Sequence, residues 1–600
     1  MCGIAGIISA DNQISNTKIL YSMLNALLHR GPDGEGVYHN SNVSIGMRRL
    51  SIIDLENGRQ PFFNEKRNIV VLGNGEIYNY IELKKQLNKK HQFVSKSDVE
   101  IVVHLYEEKG ISCIDDLVGM FAIVIYDIKA KKLFIIRDRY GEKPLYFSQI
   151  GKNTLCFSSE LKSLLKVPKI NKLLDIGSCY DYFIYNYIPE PDTAFKNIYK
   201  LPSSHVMVVN IKNKITYQLN KYWNFDAIPI NKKVFTTSDL KNKLKEACRI
   251  SLRSDVPVGI SLSGGIDSSA ILAFSAKQSK SNLIAFSIGY SNKSKNDESV
   301  QAQRLCKKLN VKYVRKEISS DDLIIAFPEV IYWGDDPIAD LAAFSIYSVS
   351  KVAREYNVPV LLSGLGGDEL FWGYPWVNNY IIKNKVSLPI MHYNTFDGQV
   401  SFNRALSFRK KYFIQKKYDK EKKGRIVDDE ISLVMATVED IREKWLISNC
   451  NTLNDRMGMA FSVETRSPFL DINLSKMVLG SYNNIMSYKM SPKYYLKQAL
   501  NKIVPDNTLN RPKKGFSPPA YFWLKKTIQS YIYLLQNGFI AENKLLTNRK
   551  INLIIHTWYL QPFFWFEIYK LIVLEIWGRE YVWGVDYQKI IAKRSIPKGV

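Results

Sequence analysis

The chain has 600 residues, 46% of them hydrophobic, more than one core supports, so two or three packed units are expected. Lys and Arg outnumber Asp and Glu by 83 to 57, a net charge of +26, but the excess is spread through a sequence generally rich in Lys, Asn, Ile and Tyr. The densest basic run, Arg409 to Arg425, carries Asp419 and Glu421 inside it and reads as a solvated helix face rather than a nucleic-acid footprint.

Seven cysteines (Cys2, Cys113, Cys156, Cys179, Cys248, Cys306, Cys450), odd in number, scattered and never paired as CxxC, argue against both a disulfide framework and a structural zinc. The first residues carry no basic segment and too short an apolar run for a secretory signal, so a cytoplasmic location is expected. The apolar stretch Ile551 to Val585 is interrupted by His556, Gln561, Pro562, Glu567, Lys570, Glu575 and Arg579; it lacks the uncharged span of a membrane helix and is read as core.

In chain order, the first two hundred residues read as short strands with turn punctuation and a few helices. Strands are expected at Ile69–Leu72, Phe121–Ile128 and Leu133–Arg137, the last two around a turn at Lys129–Lys132. A polar stretch near Asn231–Asp239 follows Tyr222-Trp223, and after it the pattern changes to apolar strands that enter Gly-rich loops and then helices. Val256–Leu262 before the Ser263–Ser269 loop and Val358–Leu362 before the Gly364–Glu369 loop are two such units, as expected of an open parallel sheet with ligands at its carboxyl edge. A domain boundary near residue 230 follows.

Removal of Met1 would expose Cys2, whose own α-amino group, with an intrinsic pKa of about 8, can serve as general base. The sequence continues with His29-Arg30-Gly31-Pro32-Asp33-Gly34, Arg49-Leu50-Ser51, Asn74-Gly75-Glu76 and Ser97-Asp98-Val99-Glu100. A glutamine substrate needs a cation for its α-carboxylate, an acid for its α-ammonium and donors for the oxyanion formed at its side-chain amide. Arg49, the pair Glu76 and Asp98, and the Asn74 side chain with the Gly75 N–H match these needs. His29, Arg30 and Asp33 read as turn and packing residues.

These motifs, with Asp116–Ala122, Arg137–Tyr146 and Phe157–Lys162 in the same order, resemble the class II glutamine amidotransferase domain of asparagine synthetases. The resemblance implies an α+β N-terminal-nucleophile layered sandwich (αββα). It also implies Cys2 as nucleophile, Asn74 and Gly75 as oxyanion hole, and Arg49, Glu76 and Asp98 as glutamine binders.

Ser263-Gly264-Gly265-Ile266-Asp267-Ser268-Ser269 lies between an apolar strand and a helical run, Ala270–Lys277, where N–H groups and hydroxyls can cradle phosphate. The order SGGxDS resembles the pyrophosphate loop of ATP pyrophosphatases, which cleave ATP between the α and β phosphates. Asp267 and Asp368, the latter in Gly364-Leu365-Gly366-Gly367-Asp368-Glu369, are the expected magnesium ligands. Glu369 is read equally well as a capping or pairing residue of the following helix. In the family, Ser287 and Ile288 lie at the strand end that contacts adenosine, so the ATP set is Ser263, Gly264, Gly265, Asp267, Ser268, Ser287, Ile288 and Gly364. Further motifs resembling the family are Met459–Asp471, containing Glu464 and Arg466, then Lys493–Lys497, whose Lys493 would neutralise pyrophosphate, and Arg511–Phe516.

The resemblance therefore implies a glutaminase domain over 2–215, a linker over 216–238, and an α/β parallel-sheet ATP-pyrophosphatase domain with a helical C-terminal part over 239–600. The expected reaction is glutamine- and ATP-dependent amidation of a small carboxylate through an acyl-adenylate, with ATP and Mg2+ as cofactors. No nucleic acid and no membrane insertion are expected, and a homodimer is allowed. One departure bears on the acceptor: asparagine synthetases commonly have Ser-Gly-Glu-Gly where this chain has Ser363-Gly364-Leu365-Gly366. Glu464 is the candidate replacement base. Aspartate is the leading acceptor and a sugar carboxylate of surface polysaccharide the alternative.

Overall fold

A computed structural model describes residues 2–10, 17–231, 235–279, 283–291, 298–375, 377–378, 381, 430–510, 519–560 and 562–591. The basic run Arg409 to Arg425 and the Arg511–Phe516 motif lie outside the described residues.

The first part of the chain makes two six-stranded antiparallel sheets. One contains β1 (Gly3–Ser9), β2 (Gly34–His39), β3 (Val43–Arg49), β8 (Tyr146–Ile150), β9 (Thr154–Ser158) and β10 (Tyr199–Lys200), with β1 between β9 and β3. The other contains β4 (Phe62–Phe63), β5 (Ile69–Ile77), β6 (Gly119–Asp127), β7 (Lys132–Arg137), β11 (His205–Ile211) and β12 (Ile215–Lys221). The strands expected near Ile69, Phe121 and Leu133 are β5, β6 and β7. β12 runs to Lys221, so the second sheet extends into the stretch expected as linker.

Strand alternation decides how these sheets pack. Ile4 and Ile8 of β1 share a buried cluster with Val70 and Leu72 of β5 and Val124 of β6, so the two sheets face each other. Ala5 and Ile7, on the opposite face of β1, pack against the helix Thr17–Asn25, while Val71 of β5 and Ile123 of β6 pack against the helix Glu100–Lys109.

The later part holds a five-stranded, all-parallel sheet in the order β15 (Lys312–Ile318), β14 (Ile284–Tyr290), β13 (Val258–Ser261), β16 (Val360–Leu362), β17 (Glu464–Arg466). Its inner strands are apolar on both sides because helices cover both faces. The helix Trp565–Tyr581, within the apolar C-terminal stretch, is buried along most of its length. No described helix is long and apolar enough to cross a membrane.

Candidate active sites

Cys2 is buried immediately before β1, and its backbone N–H donates to Asn74 Oδ1 at 2.9 Å. That bond turns the Asn74 amide so that Nδ2, buried and without a hydrogen-bond partner among the described residues, is left as a donor. An orphaned buried donor is costly unless a ligand meets it. Next to it, Gly75 has φ of +138°, and a Cβ there would lie 2.0 Å from the Met120 carbonyl, so only glycine lets β5 approach β6 at this point. Burial pushes the Cys2 thiol above its ordinary pKa.

Arg49, at the end of β3, is 8% exposed and donates to the backbone carbonyls of Ile53, Asp54 and Leu55. Among the described residues it meets no carboxylate, so its charge is oriented but not neutralised. Glu76 and Asp98 are both buried. Burial, with Glu464 adding to it, raises Asp98 to about 6 despite the hydrogen bond its carboxylate accepts from the Ile77 N–H at 2.7 Å. Burial and the neighbouring Asp98 and Glu464 carboxylates likewise push Glu76 well up, with Arg466 opposing them. Two buried acids whose pKa values are raised, and a buried guanidinium that meets no carboxylate among the described residues, are groups that a zwitterion's ammonium and carboxylate would satisfy.

Arg30, read from sequence as a packing residue, has that place. Fully buried, it donates from Nε to the Cys2 carbonyl at 3.1 Å and from its other nitrogens to Glu160 and Asp455 at 2.8–3.0 Å. Asp33 Oδ2 accepts from the Ser51 N–H at 2.8 Å, a turn contact. His29 contacts Glu160 at 3.1 Å.

The second site lies at the carboxyl ends of β13, β16 and β17, as an open parallel sheet dictates. A cavity of about 660 Å³ is lined there by Ser263, Gly264, Gly265, Asp267 and Ser268 after β13, and by Gly364, Leu365 and Asp368 after β16. Thr465 of β17 and Lys493 complete this wall. Ser263 Oγ and Ser268 Oγ lie 3.0 Å apart across the loop that starts the helix Ile266–Ala276. The two loops are pressed together: a Cβ on Gly364 would lie 2.6 Å from the Ser268 nitrogen. The Lys493 ammonium bridges Asp267 and Asp368, with 2.6 Å to the latter. Burial opposes its charge, but the two carboxylates outweigh burial and hold its pKa above the ordinary lysine value. Lys493 itself takes φ of +60° as it enters the helix Tyr494–Leu500.

Three expected residues fall elsewhere. Ser287 and Ile288 are buried within β14 and are not among the cavity's lining residues; the Ser287 hydroxyl donates to the Leu262 carbonyl. Glu464 also lies off the cavity. In β17 alternate side chains point to opposite sides, so Thr465 faces the cavity while Glu464 and Arg466 face the other way. Arg466 donates to Glu464 at 2.6 Å and approaches Glu76 at 3.3 Å. Glu464 is thus paired on the side of the Cys2 site, which its expected role as a base beside the cavity does not require. Arg466 was named in the sequence only as part of its motif with Glu464, and its link to Glu76 was not read there; the signal was their two-residue spacing, once the segment is read as a strand.

The sites are joined by a buried ionic wall. On the helix Thr452–Met459, Leu453 and Asn454 line the cavity. The adjacent Asp455 binds Arg30, and Arg456 pairs with Glu160 at 3.2 Å and Asp335 at 3.1 Å. Lys162 bridges Glu160 and Asp335 at 2.7 and 3.3 Å. Buried ions so matched are costly to break one at a time.

Family comparison accounts for both halves of this arrangement. The model of the glutamine amidotransferase domain matches residues 1–223, and that of asparagine synthase matches residues 239–558. The chain is 30% identical over 569 residues to asparagine synthetase [glutamine-hydrolyzing] 1 of Bacillus subtilis, covering 89% of each chain. The chain belongs to the glutamine-hydrolysing asparagine synthetase family. Two further relatives indicate its breadth. Asparagine synthetase [glutamine-hydrolyzing] 2 of Bacillus subtilis is 32% identical over 86% of this chain and 72% of its own. A protein of Gibberella zeae named amidase chry2 is 26% identical over 87% of this chain and 90% of its own. Membership makes the chain a glutamine-dependent, ATP-using ligase with an amidotransferase domain ahead of a parallel-sheet synthetase domain.

Proposed function

We propose that the protein transfers the amide nitrogen of glutamine to a carboxylate activated by ATP as an acyl-adenylate, with aspartate as the leading acceptor. The observation that carries the reading is the pairing of the Cys2 site, with its unpartnered Asn74 donor, to a cavity lined by the SGGxDS loop.

In this reading the Cys2 thiolate attacks the glutamine carboxamide carbon. Asn74 Nδ2 and the Gly75 N–H stabilise the oxyanion, ammonia departs with the thiol proton, and water releases glutamate from the thioester. Arg49 holds the substrate's α-carboxylate, and Glu76 with Asp98 its α-ammonium. In the cavity, the acceptor carboxylate displaces pyrophosphate from the α-phosphorus of ATP, and ammonia then displaces AMP from the acyl carbon. Ser263, Gly264, Gly265, Ser268 and Gly364 bind the phosphates, and Lys493 neutralises charge on the leaving pyrophosphate.

Asp267 and Asp368 converge on one cation already, Lys493, and their hard oxygen donors fit Mg2+ equally well. When bound, magnesium would neutralise phosphate charge. Ser287 and Ile288, inside β14, would neighbour adenosine only through the sheet, and Glu464, which faces away from the cavity, does not act as the base replacing the family's glutamate.

A sugar carboxylate remains a second reading because Leu365, which stands where close relatives have that glutamate, lines the cavity. Pyrophosphate release distinguishes the two. With glutamine and ATP present, aspartate should elicit it at ordinary enzymatic rates; release with a uronic-acid nucleotide sugar but not with aspartate overturns the aspartate assignment and leaves adenylation standing.

A further inference from the structure

A second group of chemistry-bearing side chains lies on the outer side of the amidotransferase sheets, away from Cys2. One ligand atom from each of Glu65, His91, His104 and Glu107 lies within 4.8 Å of the others. They come from three segments: the turn between β4 and β5, the loop before Phe93, and two residues three apart on the helix Glu100–Lys109. Residues three apart share a helix face, so His104 and Glu107 point the same way.

We propose that these four residues bind a divalent transition ion of the zinc class, a structural site separate from both reaction centres. Two imidazoles and two carboxylates are a ligand set that zinc accepts in tetrahedral geometry. Bonds of about 2.0–2.2 Å give tetrahedron edges near 3.4 Å. His91 Nδ1 and Glu65 Oε1 are already 3.4 Å apart, His104 Nδ1 and Glu65 Oε1 3.8 Å, and His91 Nδ1 and Glu107 Oε2 4.0 Å. A slight inward movement closes the set.

Three independent observations point to a missing ligand. His104 is 1% exposed, and among the described residues neither ring nitrogen makes a hydrogen bond within 3.5 Å, the nearest carboxylate oxygens of Glu65 and Glu100 standing 3.8 and 3.7 Å away, an arrangement that a metal bond at Nδ1 would complete. Glu107 Oε2 is likewise buried without a partner, while its Oε1 is held by Lys66 at 3.4 Å. Both imidazoles also turn Nδ1 inward and Nε2 toward a further carboxylate. His91 Nε2 meets Glu108 Oε1 at 3.3 Å, and His104 Nε2 stands 3.7 Å from Glu100 Oε1. A carboxylate behind a ligating histidine fixes its tautomer and raises its basicity, the usual support of a metal-bound imidazole. Glu65 Oε1 also accepts from the Gln92 N–H at 2.9 Å, which holds that oxygen toward the histidines.

The bound ion would clip the turn leading into β5, which carries Asn74 and Gly75, to the helix that begins two residues after Asp98. Its contribution is to stability, since no reacting group touches it.

The test uses the untagged full-length protein, stripped with a chelator, desalted and titrated with Zn2+. The wild type should take up about one equivalent, and its thermal midpoint should rise with Zn2+ and fall on chelation. X-ray absorption should report nitrogen and oxygen neighbours without sulfur. The double variant His91→Gln/Glu107→Gln, which leaves the buried His104 in place, should lose the equivalent and the thermal response while retaining its far-ultraviolet circular dichroism and glutaminase activity. Absence of stoichiometric zinc in the wild type, a sulfur shell, or equal binding by the double variant would overturn the assignment.

Discussion

The two reaction centres are built in opposite ways. The Cys2 site is made of groups buried at the antiparallel sheets: Arg49, which meets no carboxylate among the described residues, and Glu76 and Asp98, whose pKa values burial raises. The synthetase site is a roomy cavity at a sheet edge, walled by loops and by helix residues such as Leu453 and Asn454. In the proposed reaction the buried charges beside Cys2 specify one small zwitterion. In the same proposed reaction a cavity of about 660 Å³ takes a nucleotide and an acceptor together, and its loops leave the acceptor less narrowly defined. Glutamine is accordingly the better determined of the two substrates. β17 lies between the two, since Thr465 lines the cavity while Arg466 contacts Glu464 and Glu76 on the other side.

The contrast is broken most strongly at Cys2. Cys2→Ala should lower glutamine-dependent synthesis by about 10³-fold or more, while synthesis from ammonium salts persists. Retained glutaminase activity in purified mutant would remove Cys2 from its role.

Next in size is Arg466→Gln, which leaves the buried Glu464 and Glu76 without their shared cation. Breaking a buried pair in this way costs about 3–5 kcal/mol, to be read from urea unfolding with an unchanged slope. An unfolding midpoint equal to that of the wild type would mean that the two carboxylates do not depend on Arg466.

On the cavity side, Asp267→Asn should reduce synthesis from either nitrogen source by about 10²–10³-fold and spare glutamine hydrolysis. Equal loss of both activities would contradict a division of labour between the sites.

The smallest effect is pH dependence. Asp98 must be ionised to hold an ammonium, and its pKa is raised to about 6, with Glu76 raised as well. Lowering the pH through about 6 therefore protonates Asp98, and KM for glutamine should rise by up to about tenfold per pH unit. The ammonia-dependent reaction should lack this limb; if it shares it, the titrating group belongs to the cavity.

Much of the Cys2 site was legible in the sequence because its groups occur in short, locally readable motifs whose residue types match what glutamine requires. The SGGxDS loop was legible for the same reason, placed by the strand before it and the helix after it. Glu464 was not, because its direction depends on the pleat of a three-residue strand and on which domain packs behind it. Ser287 and Ile288 are carried by a strand that continues to Tyr290, so residues expected at its end are inside the sheet. Arg30 was read as packing; its partner Asp455 is 425 residues away, and no local pattern announces such a pair. The Glu65, His91, His104 and Glu107 group shares that property, with spacings set by tertiary contact rather than by a motif.

The most direct test supplies glutamine labelled with 15N in its side-chain amide, together with ATP, Mg2+ and aspartate. The account predicts 15N in the side-chain amide of asparagine, with AMP and pyrophosphate formed in equal amounts. Formation of ADP and phosphate, or product nitrogen drawn from solution ammonia while labelled glutamine is left unhydrolysed, would contradict it.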